Sequence, residues 1–498
     1  MSAVPGIRIR QCNEAVARPG GRYVLYWMIA NRRLRYNFAL DRAIEHCKTF
    51  GKPLAVLEAL RVGYRWASDR IHQFVLDGMH VNQRTCEESG IRYLPYLEPR
   101  PGAAKGLLRT LAKDACIVVT DDFPCFFLPK MVTSAANQLD VLLEAVDSNG
   151  LLPIRATTRV FQRAVDFRRF LQKELPKHLT DFPIAEPLKG FPAAAAPQIS
   201  KRILTKWPMT VATKRQGETQ TLDALPIDHV VTLAEMRGGS EAAFRRMTEF
   251  FGEGFEHYGE RQVEPESGTS SGFSPYLHFG HLSVHEVMAT LAKKEKWTLG
   301  RLALRGNGSK EGWWNMSSTA EKFLDELITW RELGFNFAAH REDYGRYDAL
   351  PEWAKVTLRK HKRDERDHVY GLEEFEHART HDALWNAAQR QLVREGRIHN
   401  YLRMLWGKKI LQWSRGPEEA AEIMIHLNNK YALDGRDPNS YSGIFWVLGR
   451  YDRPWAPERP IFGAIRYMSS ENTARKFSVK RYLEKYGKNE AEQSQCPL

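Results

Sequence analysis

Five short apolar segments at helix-length intervals constrain the fold of the first third of the chain. They are YVLYWM (23–28), PLAVLEAL (53–60), IRYLPYL (91–97), CIVVTDD (116–122) and LLPIRAT (151–157). Intervals of about 25 to 40 residues leave room for one helix each, which is typical of βαβ units and predicts a parallel sheet. Ligands of such sheets bind beyond the carboxyl ends of the strands, so residues 28–35 and 121–129 are candidate ligand loops.

The pattern changes after this sheet. The stretch DFPIAEPLKGFPAAAAPQIS predicts a surface linker over residues 181–230, and the apolar periodicity is helical from 231 to 486. The last residues, 487–498, are polar and typical of a disordered tail. A chain of 498 residues with 43% hydrophobic residues can bury two or three cores. We therefore expect an α/β domain over 20–180 and a larger all-α domain over 231–486.

Charge and cysteine content narrow the classes of function. A formal net charge of +13 and a pI near 9.3 favour a polyanionic partner such as nucleic acid, although basic proteins with other roles are common. No apolar run is long enough to span a membrane, and the N-terminus lacks a signal-peptide core. We expect an intracellular monomer of the cytoplasm or nucleoid, without a membrane partner. No cysteine lies between Cys125 and Cys496, so the C-terminal half cannot supply the cysteines of an iron–sulfur cluster.

A serine-rich loop, SSGFSPYLHFGHLS (270–283), runs into a predicted helix. Its backbone N–H groups and the hydroxyls of Ser270, Ser271 and Ser274 are suited to a phosphate, although an ordinary helix cap explains the loop equally well. The nearby histidines, His278, His281 and His285, suggest a metal. No clustered carboxylate or thiolate completes that ligand set, so we expect no metal site.

Two later segments combine carboxylates, amides and aromatic residues. In KFLDELITWREL (322–333), Glu326 and Trp330 lie four residues apart and share a helical face, although a solvated helix edge beside the core would look the same. In IHLNNKYALDGRDPNSYSGIFW (425–446), a glycine-flanked turn joins Asn428, Asp434 and Arg436, and the segment ends on Trp446. Both segments are candidates for a binding site.

Three tryptophans lie in the basic stretch WNAAQRQLVREGRIHNYLRMLWGKKILQW (385–413). Trp406 and Trp413 are seven residues apart, which places them on one helical face about two turns from each other. Trp385 lies 21 residues before Trp406. Core packing is the commonest explanation of such an apolar stripe.

In this order and spacing, the segments resemble the class II cyclobutane pyrimidine dimer photolyases of the photolyase/cryptochrome superfamily. The resemblance runs from about residue 23 to 486 and is strongest in SPYLHFG, ELITWREL, WNAAQ, YLRMLWGKKILQW, LNNKY, DGRDPNSY and FGAIRYM. It implies a Rossmann-like N-terminal sheet and a helical domain that binds FAD. It also implies light-dependent repair of double-stranded DNA, in which photoexcited FADH⁻ donates an electron to a flipped-out dimer. An antenna chromophore of the 8-hydroxy-5-deazaflavin type is a further expectation.

The resemblance also implies roles for individual residues. The implied FAD contacts are Tyr258, Ser270, Ser271, Phe273, Ser274, Arg403, Asn428 and Asp434, with Arg403 paired to Asp434 and Asn428 facing flavin N5. The implied dimer pocket is Glu326, Trp330, Met404 and Trp446, and Arg453, Trp455 and Arg466 would fill or line the DNA bubble. Trp406, Trp385 and Trp413, in that order, match an electron-transfer chain that photoreduces FAD. Leu405 occupies a position where some relatives have tyrosine. This chain therefore has no tyrosine at that position for an auxiliary electron-transfer step.

Other functions explain part of the pattern. A cryptochrome-like blue-light photoreceptor would bind FAD and signal through a partner, but it would not need Glu326, Trp330 and Trp446. An iron–sulfur enzyme that repairs (6-4) photoproducts would need cysteines in the C-terminal half. A basic helical nucleic-acid binder would explain the charge but not the order of the motifs.

Overall fold

The computed structural model describes residues 4–191, 196–209, 220–261, 264–266 and 268–488. The chain forms two compact units. The first comprises Met1–Thr158, Leu171–Thr248 and Gly272–Leu302, and the second comprises Arg159–Phe170, Glu249–Ser271 and Ala303–Leu498. Within the described residues, no helix is both long enough and apolar enough to cross a membrane.

The first unit contains a six-stranded sheet. Its strands are β1 (Ile9–Gln11), β2 (Tyr23–Met28), β3 (Leu54–Leu60), β4 (Arg92–Leu97), β5 (Ala115–Asp121) and β6 (Leu143–Val146). Their spatial order is β1-β6-β5-β2-β3-β4, and only the edge strand β1 is antiparallel to its neighbour. The order reverses on either side of β2, as in doubly wound α/β sheets. The predicted Rossmann-like α/β fold is confirmed.

Helices account for most of the rest of the described chain. In chain order they are α1 (Phe38–Phe50), α2 (Asp69–Glu88), α3 (Leu107–Ala112), α4 (Leu128–Ala136), α5 (Ala164–Glu174), α6 (Lys201–Lys206), α7 (Gln220–Asp223), α8 (Ser240–Glu249), α9 (Phe255–Arg261), α10 (Ser274–His278), α11 (Val284–Lys294), α12 (Ser318–Leu324), α13 (Arg331–His340), α14 (Glu352–Lys360), α15 (Leu372–Glu376), α16 (Ala383–Glu395), α17 (Asn400–Trp413), α18 (Pro417–Tyr431), α19 (Pro438–Val447), α20 (Ser470–Lys476) and α21 (Lys480–Tyr486). Two π-helical turns, Phe250–Gly254 and Asp325–Trp330, interrupt this series. Short 3-10 turns occur at Gly6–Arg8, Ile154–Ala156, Leu175–Lys177, Leu299–Arg301 and Tyr347–Ala349. The predicted helical C-terminal region is confirmed.

One of the five predicted strands is wrong. Residues 151–157 do not pair in the sheet but form a turn that contains the 3-10 segment Ile154–Ala156. Pro153 has no N–H to donate to a strand ladder, and the Asp147 carboxylate accepts a hydrogen bond from the Ile154 N–H at 2.7 Å. The sheet instead uses two short strands that were not predicted, β1 and β6, the second of which lies in the apolar run 141–146.

The two loops predicted at the carboxyl edge of the sheet do meet there. Oδ2 of Asp121 accepts hydrogen bonds from the backbone N–H groups of Ile29, Ala30 and Asn31 at 2.8, 2.8 and 3.0 Å. The Tyr26 hydroxyl donates to Oδ1 of the same carboxylate at 2.8 Å. Asp121 therefore already satisfies the backbone donors that this edge would offer to an anionic ligand.

The limits of the two units differ from the domain limits predicted from the sequence, which were 20–180, 181–230 and 231–486. The segment Gly272–Leu302 belongs to the first unit. Its helix α11 is held there by an ion pair of 2.8 Å between Arg35 and Glu286 and by a ring contact of 5.2 Å between Phe38 and His285. Residues 489–498 of the predicted tail lie outside the described residues.

Two glycines let helices of the second unit approach each other closely. A Cβ on Gly334 of α13 would lie 2.8 Å from the Ser442 Oγ and 3.0 Å from the Pro438 oxygen, both on α19. A Cβ on Gly407 of α17 would lie 2.6 Å from Val447 on α19 and 3.1 Å from Met424 on α18. Helices α13, α17, α18 and α19 therefore pack around a common centre.

Candidate active site

A π-helical turn carries the first pair of candidate residues. Asp325–Trp330 continues directly from α12 and leads into α13, so the ordinary helix expected for Glu326 and Trp330 is widened at this point. Such turns cost backbone hydrogen bonds and are frequent at functional sites. The Asp325 carboxylate is buried and accepts two hydrogen bonds from the Arg168 guanidinium, at 2.8 Å from Nε and 3.0 Å from Nη2.

Glu326 has the electrostatics of a pocket rather than those of a helix edge. Its side chain is accessible to solvent and makes no hydrogen bond within the described residues, yet surrounding protein removes enough water to raise its pKa to about 7. The negative charge of Asp325 contributes to this shift, while Lys310 and Arg168 oppose it. An accessible carboxyl that is nevertheless desolvated lies in a concave site. An exposed helix edge would leave its pKa near the ordinary value, so the raised pKa favours a pocket.

Tyr258 lies close to this carboxyl. Its ring on α9 makes edge contacts with Phe250 and Phe323, each with ring centroids 5.6 Å apart. Burial raises the pKa of the Tyr258 hydroxyl, and the charge of Glu326 raises it further. Tyr258 therefore stays neutral and packs on the wall of the same region.

A forked ion pair and an amide bring together α17, α18 and the turn after α18. The Arg403 guanidinium donates from Nη1 and Nη2 to the Asp434 carboxylate at 3.1 to 3.2 Å, as predicted for this pair. Arg403 Nε is buried and has no hydrogen-bond acceptor within the described residues. The buried Asn428 donates from Nδ2 to Ser440 Oγ at 2.6 Å, and its Oδ1 accepts no hydrogen bond within the described residues. One donor and one acceptor are thus available to a ligand.

Aromatic rings and cations alternate beside α19. The Arg466 guanidinium lies 5.5 Å from the ring of Trp446 and 4.2 Å from the ring of Trp455, and Arg453 lies 4.7 Å from Trp455. Arg453 is exposed, whereas Trp446 and Trp455 are half-buried. Trp446, predicted for the dimer pocket, therefore forms one cationic, aromatic surface with the three residues predicted for the DNA bubble, and Asp452 pairs with Arg466 there at 3.3 Å. Met404 is half-buried on α17.

The three tryptophans of the predicted electron-transfer chain are buried. The indole N–H of Trp385 donates to the backbone oxygen of Trp406 at 3.0 Å, and the rings of Trp385 and Trp413 have centroids 6.2 Å apart. The order Trp406, Trp385, Trp413 is therefore a sequence of contacts. The Trp406 indole donates to Oε1 of the buried Gln389 at 2.9 Å.

The predicted phosphate loop belongs in part to each of the two units. Ser270 and Ser271 end a segment of the second unit, and the buried Phe273 precedes α10, which begins at Ser274. Gly272 has φ +70°, and a Cβ there would lie 3.1 Å from Arg246 Nε. Only glycine combines this backbone with that approach. The loop therefore has a guanidinium beside it.

Two of the three histidines of that region, His281 and His285, have separate environments. His281 Nδ1 accepts the backbone N–H of Gly239 at 2.9 Å, and its ring stacks on Phe74. The ring of His285 makes edge contacts with Phe38 and Phe182. Both rings act as packing groups.

Several residues at the site were missed by the sequence analysis. Gln389 lies four residues after Trp385 on α16, and helical spacing would have placed it on the tryptophan side. Lys408 is fully buried, donates to the Val447 oxygen at 2.6 Å and lies 5.0 Å from the Trp446 ring. Tyr370 has its ring 5.9 Å from that of Trp413, but it precedes α15 in an irregular segment, where no periodicity indicates its position.

Comparison with known proteins identifies the family of the chain. No protein-family model matches the chain. The deoxyribodipyrimidine photo-lyase of Methanothermobacter thermautotrophicus is 34% identical over 480 residues, which cover 96% of this chain and 97% of that protein. The enzyme of the same name from Oryza sativa subsp. japonica is 33% identical over 499 residues, covering 96% of this chain and 89% of the other.

Solved structures have the same fold. A bacterial class III photolyase from Agrobacterium tumefaciens aligns with a TM-score of 0.64 and 18% identity, covering 94% of this chain and 86% of that chain. A Synechocystis sp. cryptochrome aligns with a TM-score of 0.67 and 15% identity, covering 93% and 88%. The fold is that of the photolyase/cryptochrome superfamily. By its identity to the curated relatives over nearly the whole chain, the protein belongs to the deoxyribodipyrimidine photo-lyase family. It is an enzyme, a lyase of DNA repair.

Proposed function

We propose that this enzyme is a class II photolyase that uses light and FAD to split cyclobutane pyrimidine dimers in DNA. The observation that carries the proposal is the Glu326 carboxyl. It is accessible to a ligand, is desolvated enough to have a pKa of about 7, and shares a π-helical turn with Trp330. A carboxyl that is about half protonated at neutral pH is able to give a hydrogen bond to a carbonyl on which negative charge develops.

The residues of the second unit fit a flavin. Arg403 Nε is a buried donor without an acceptor, and Asn428 Oδ1 is an acceptor whose amide is held by Ser440. A flavin ring offers carbonyl oxygens that could accept from Arg403 Nε and, when reduced, an N5–H that could donate to Asn428 Oδ1. Reduced FAD, when bound, supplies the electron that opens the cyclobutane ring after light absorption. Asp434 fixes the Arg403 guanidinium with a forked ion pair, so the donor is held in place before the cofactor binds.

The diphosphate of FAD is assigned to the serine loop. Ser270, Ser271 and Ser274 offer hydroxyls, and the Arg246 guanidinium next to Gly272 offers positive charge. Phe273 is buried and anchors the loop. Tyr258 precedes the loop in the sequence and lies on α9. Because α10 has only five residues, the hydroxyls and the guanidinium contribute more than a helix dipole would.

The dimer pocket is assigned to Glu326, Trp330, Met404 and Trp446. The reacting bonds of a dimer are inaccessible inside a duplex, so the lesion has to leave the helix before it reacts. Trp330 and Trp446 offer half-buried aromatic faces on which an extruded base can stack. A dimer is already poorly stacked in DNA, which lowers the cost of extrusion relative to normal bases.

The DNA backbone is assigned to the cationic surface beside α19. Arg453 and Arg466 carry positive charge next to the ring of Trp455, and this combination suits the gap that an extruded dimer leaves. The net charge of +13 adds sequence-independent attraction to phosphates. Trp406, Trp385 and Trp413 are assigned to the delivery of electrons that keep the cofactor reduced.

The antenna chromophore in the α/β unit is a separate proposal. A deazaflavin is the preferred candidate. Since Asp121 occupies the backbone donors at the sheet edge, such a chromophore would bind through side chains there or at another face. Heat-released chromophores of the purified protein, separated by chromatography, identify it directly.

The lesion itself tests the proposed function. The purified protein is incubated under blue light, with a dark control, with duplexes that contain one cyclobutane thymine dimer or one (6-4) photoproduct. We expect restoration of the thymines only in the first duplex and only in light. A protein that retains FAD and repairs neither lesion would instead be a photoreceptor, and repair of the (6-4) lesion would exclude the class proposed here. A matched variant, Trp446→Ala, should lose repair and keep FAD.

A further inference from the structure

The indole N–H groups at the inner end of the tryptophan chain are held by neutral oxygens. The Trp406 N–H donates to Oε1 of Gln389 at 2.9 Å, and both side chains are buried, with 3% and 0% of their surface exposed. Gln389 is itself fixed, because its Nε2 donates to the backbone oxygen of Glu376 at 3.2 Å. The Trp385 N–H donates to a backbone oxygen at 3.0 Å.

The basicity of these acceptors decides whether an oxidised indole loses its N–H proton. Loss of one electron turns an indole into a radical cation, whose N–H proton is strongly acidic. A carboxylate or imidazole in contact would take that proton, whereas amide and peptide oxygens are very weak bases that accept a hydrogen bond only. No carboxylate or imidazole makes a described hydrogen bond to either inner indole.

The outer end of the chain differs. The indole N–H of Trp413 has no hydrogen-bond acceptor within the described residues, and the ring centroid of the exposed His381 lies 4.8 Å from the ring centroid of Trp413. Burial and the neighbouring His368 lower the pKa of His381, so its imidazole is neutral at pH 7 and able to accept a proton. The Lys409 ammonium lies 5.1 Å from the Trp413 ring and disfavours a second positive charge there.

We propose that Gln389 is a positioning residue that keeps electron transfer at Trp406 free of proton loss, so that the chain releases its proton only at Trp413. The proposal rests on the proposed function of the tryptophans. One electron leaves Trp406 for the light-excited flavin, Trp385 refills Trp406, and Trp413 refills Trp385. The N–H proton of Trp413 then passes to water or through His381, which leaves a neutral radical that a thiol in solution reduces.

A carboxylate in place of the amide tests this assignment. Gln389→Glu has nearly the same shape, but above the pKa of its buried carboxyl it places a base on the Trp406 N–H. We expect time-resolved absorption and EPR to show a neutral radical on Trp406 and a several-fold lower yield of radical on Trp413. This effect should grow as the pH is raised from 6 to 9. Wild type should show the neutral radical only on Trp413 throughout, and so should the control Gln391→Glu, because Gln391 on the same helix bonds to Tyr482 instead.

A dark measurement adds a readout that does not depend on photochemistry. In wild type, the indole N–H of Trp406 should exchange slowly with solvent deuterium in NMR spectra, and Gln389→Met, which lacks a strong acceptor, should speed this exchange.

If Gln389→Glu does not fold, Gln389→Met replaces it in the flash experiment. That variant should lower the initial yield of oxidised tryptophan but still place the final neutral radical on Trp413. A neutral Trp406 radical in Gln389→Met or in wild type would overturn the proposal.

The failure of the proposed function has a different signature. If Trp406→Phe photoreduces its flavin like wild type, the tryptophans are not the donors at all. If Trp406→Phe blocks photoreduction but Gln389→Glu behaves like wild type at every pH, the chain stands and the role of Gln389 is refuted.

Discussion

Glu326→Gln should abolish a pH dependence of repair that the wild-type enzyme shows near neutrality. In wild type the pKa of the Glu326 carboxyl is raised to about 7, chiefly by desolvation and then by the charge of Asp325. In the proposed function, the protonated form is the one that gives a hydrogen bond to the dimer carbonyl as charge develops. Repair per absorbed photon should therefore be highest below pH 7 and fall as the pH rises through 7.

The size of the effect follows from the titration. With a pKa of about 7, roughly 90% of the carboxyl is protonated at pH 6 and roughly 10% at pH 8. Gln donates a hydrogen bond at every pH but has no proton to transfer. Its repair yield should be flat with pH and a few-fold below that of wild type at pH 6, because Gln keeps a hydrogen-bond donor and loses only the transferable proton, while the electron donor is unchanged.

Stability gives an independent check on the same carboxyl. Because its folded pKa lies above the ordinary 4.5, the contribution of Glu326 to stability is largest at low pH and is lost as the pH rises from about 4.5 through about 7. Above pH 7, Glu326→Gln should therefore be more stable than wild type. The gain should stay under about 1 kcal/mol, because solvent reaches the carboxyl.

The assay is the repair quantum yield of the chemically reduced enzyme with saturating dimer-containing DNA, measured from pH 6 to 8. The control Glu256→Gln removes an exposed carboxylate of α9 and should reproduce the wild-type profile. FAD content and DNA affinity are measured alongside. A wild-type yield that is independent of pH, or a Gln variant with the wild-type yield and profile, would refute the role given to Glu326.

Three further predictions test other parts of the site. Trp406→Phe should block photoreduction of oxidised FAD while repair by chemically reduced enzyme stays nearly intact, and the control Trp207→Phe, at a buried tryptophan of the first unit, should leave both activities unchanged; photoreduction by Trp406→Phe at the wild-type rate would contradict the chain. Arg403→Lys cannot make the forked contact with Asp434 and should lower retained FAD, measured from absorbance ratios; full retention would argue against this site. Binding of undamaged duplex should weaken with salt with a log–log slope of about −4 to −5 for ~5 phosphate contacts, and Arg453→Ala should reduce that slope by about 1; a salt-insensitive complex would exclude the cationic surface.

Much of the α/β fold could be predicted because its strands are buried on both faces. β2 and β5 read as continuous apolar runs, which is the pattern that parallel sheets impose. β6 has only four residues and includes Glu144, whose charge is satisfied by Arg42 and His46. The strand lies in the apolar run VLLEAV (141–146), which the sequence shows as plainly as LLPIRAT (151–157); only the pairing of Glu144 with distant side chains and the proline of the second run distinguish strand from turn.

The candidate site could be predicted in part for a similar reason. Glu326 and Trp330 could be predicted as site residues because helical spacing and the family resemblance are both visible in short segments of the sequence. The proton affinity of Glu326 depends on Asp325 and on Arg168, which lies 157 residues from Asp325 in the sequence. The π-helical turn likewise depends on packing between helices, which local propensity does not contain.

Repair in a single turnover tests the central claim most directly. The reduced enzyme, in excess over a duplex with one thymine dimer, is given a blue flash, and restored thymines are counted per photon absorbed, with a dark sample alongside. The account predicts restored thymines only after the flash, with a yield that falls sharply in Trp446→Ala although FAD is retained. Repair in the dark, or no repair by a flavin-loaded enzyme that binds the lesion, would contradict it.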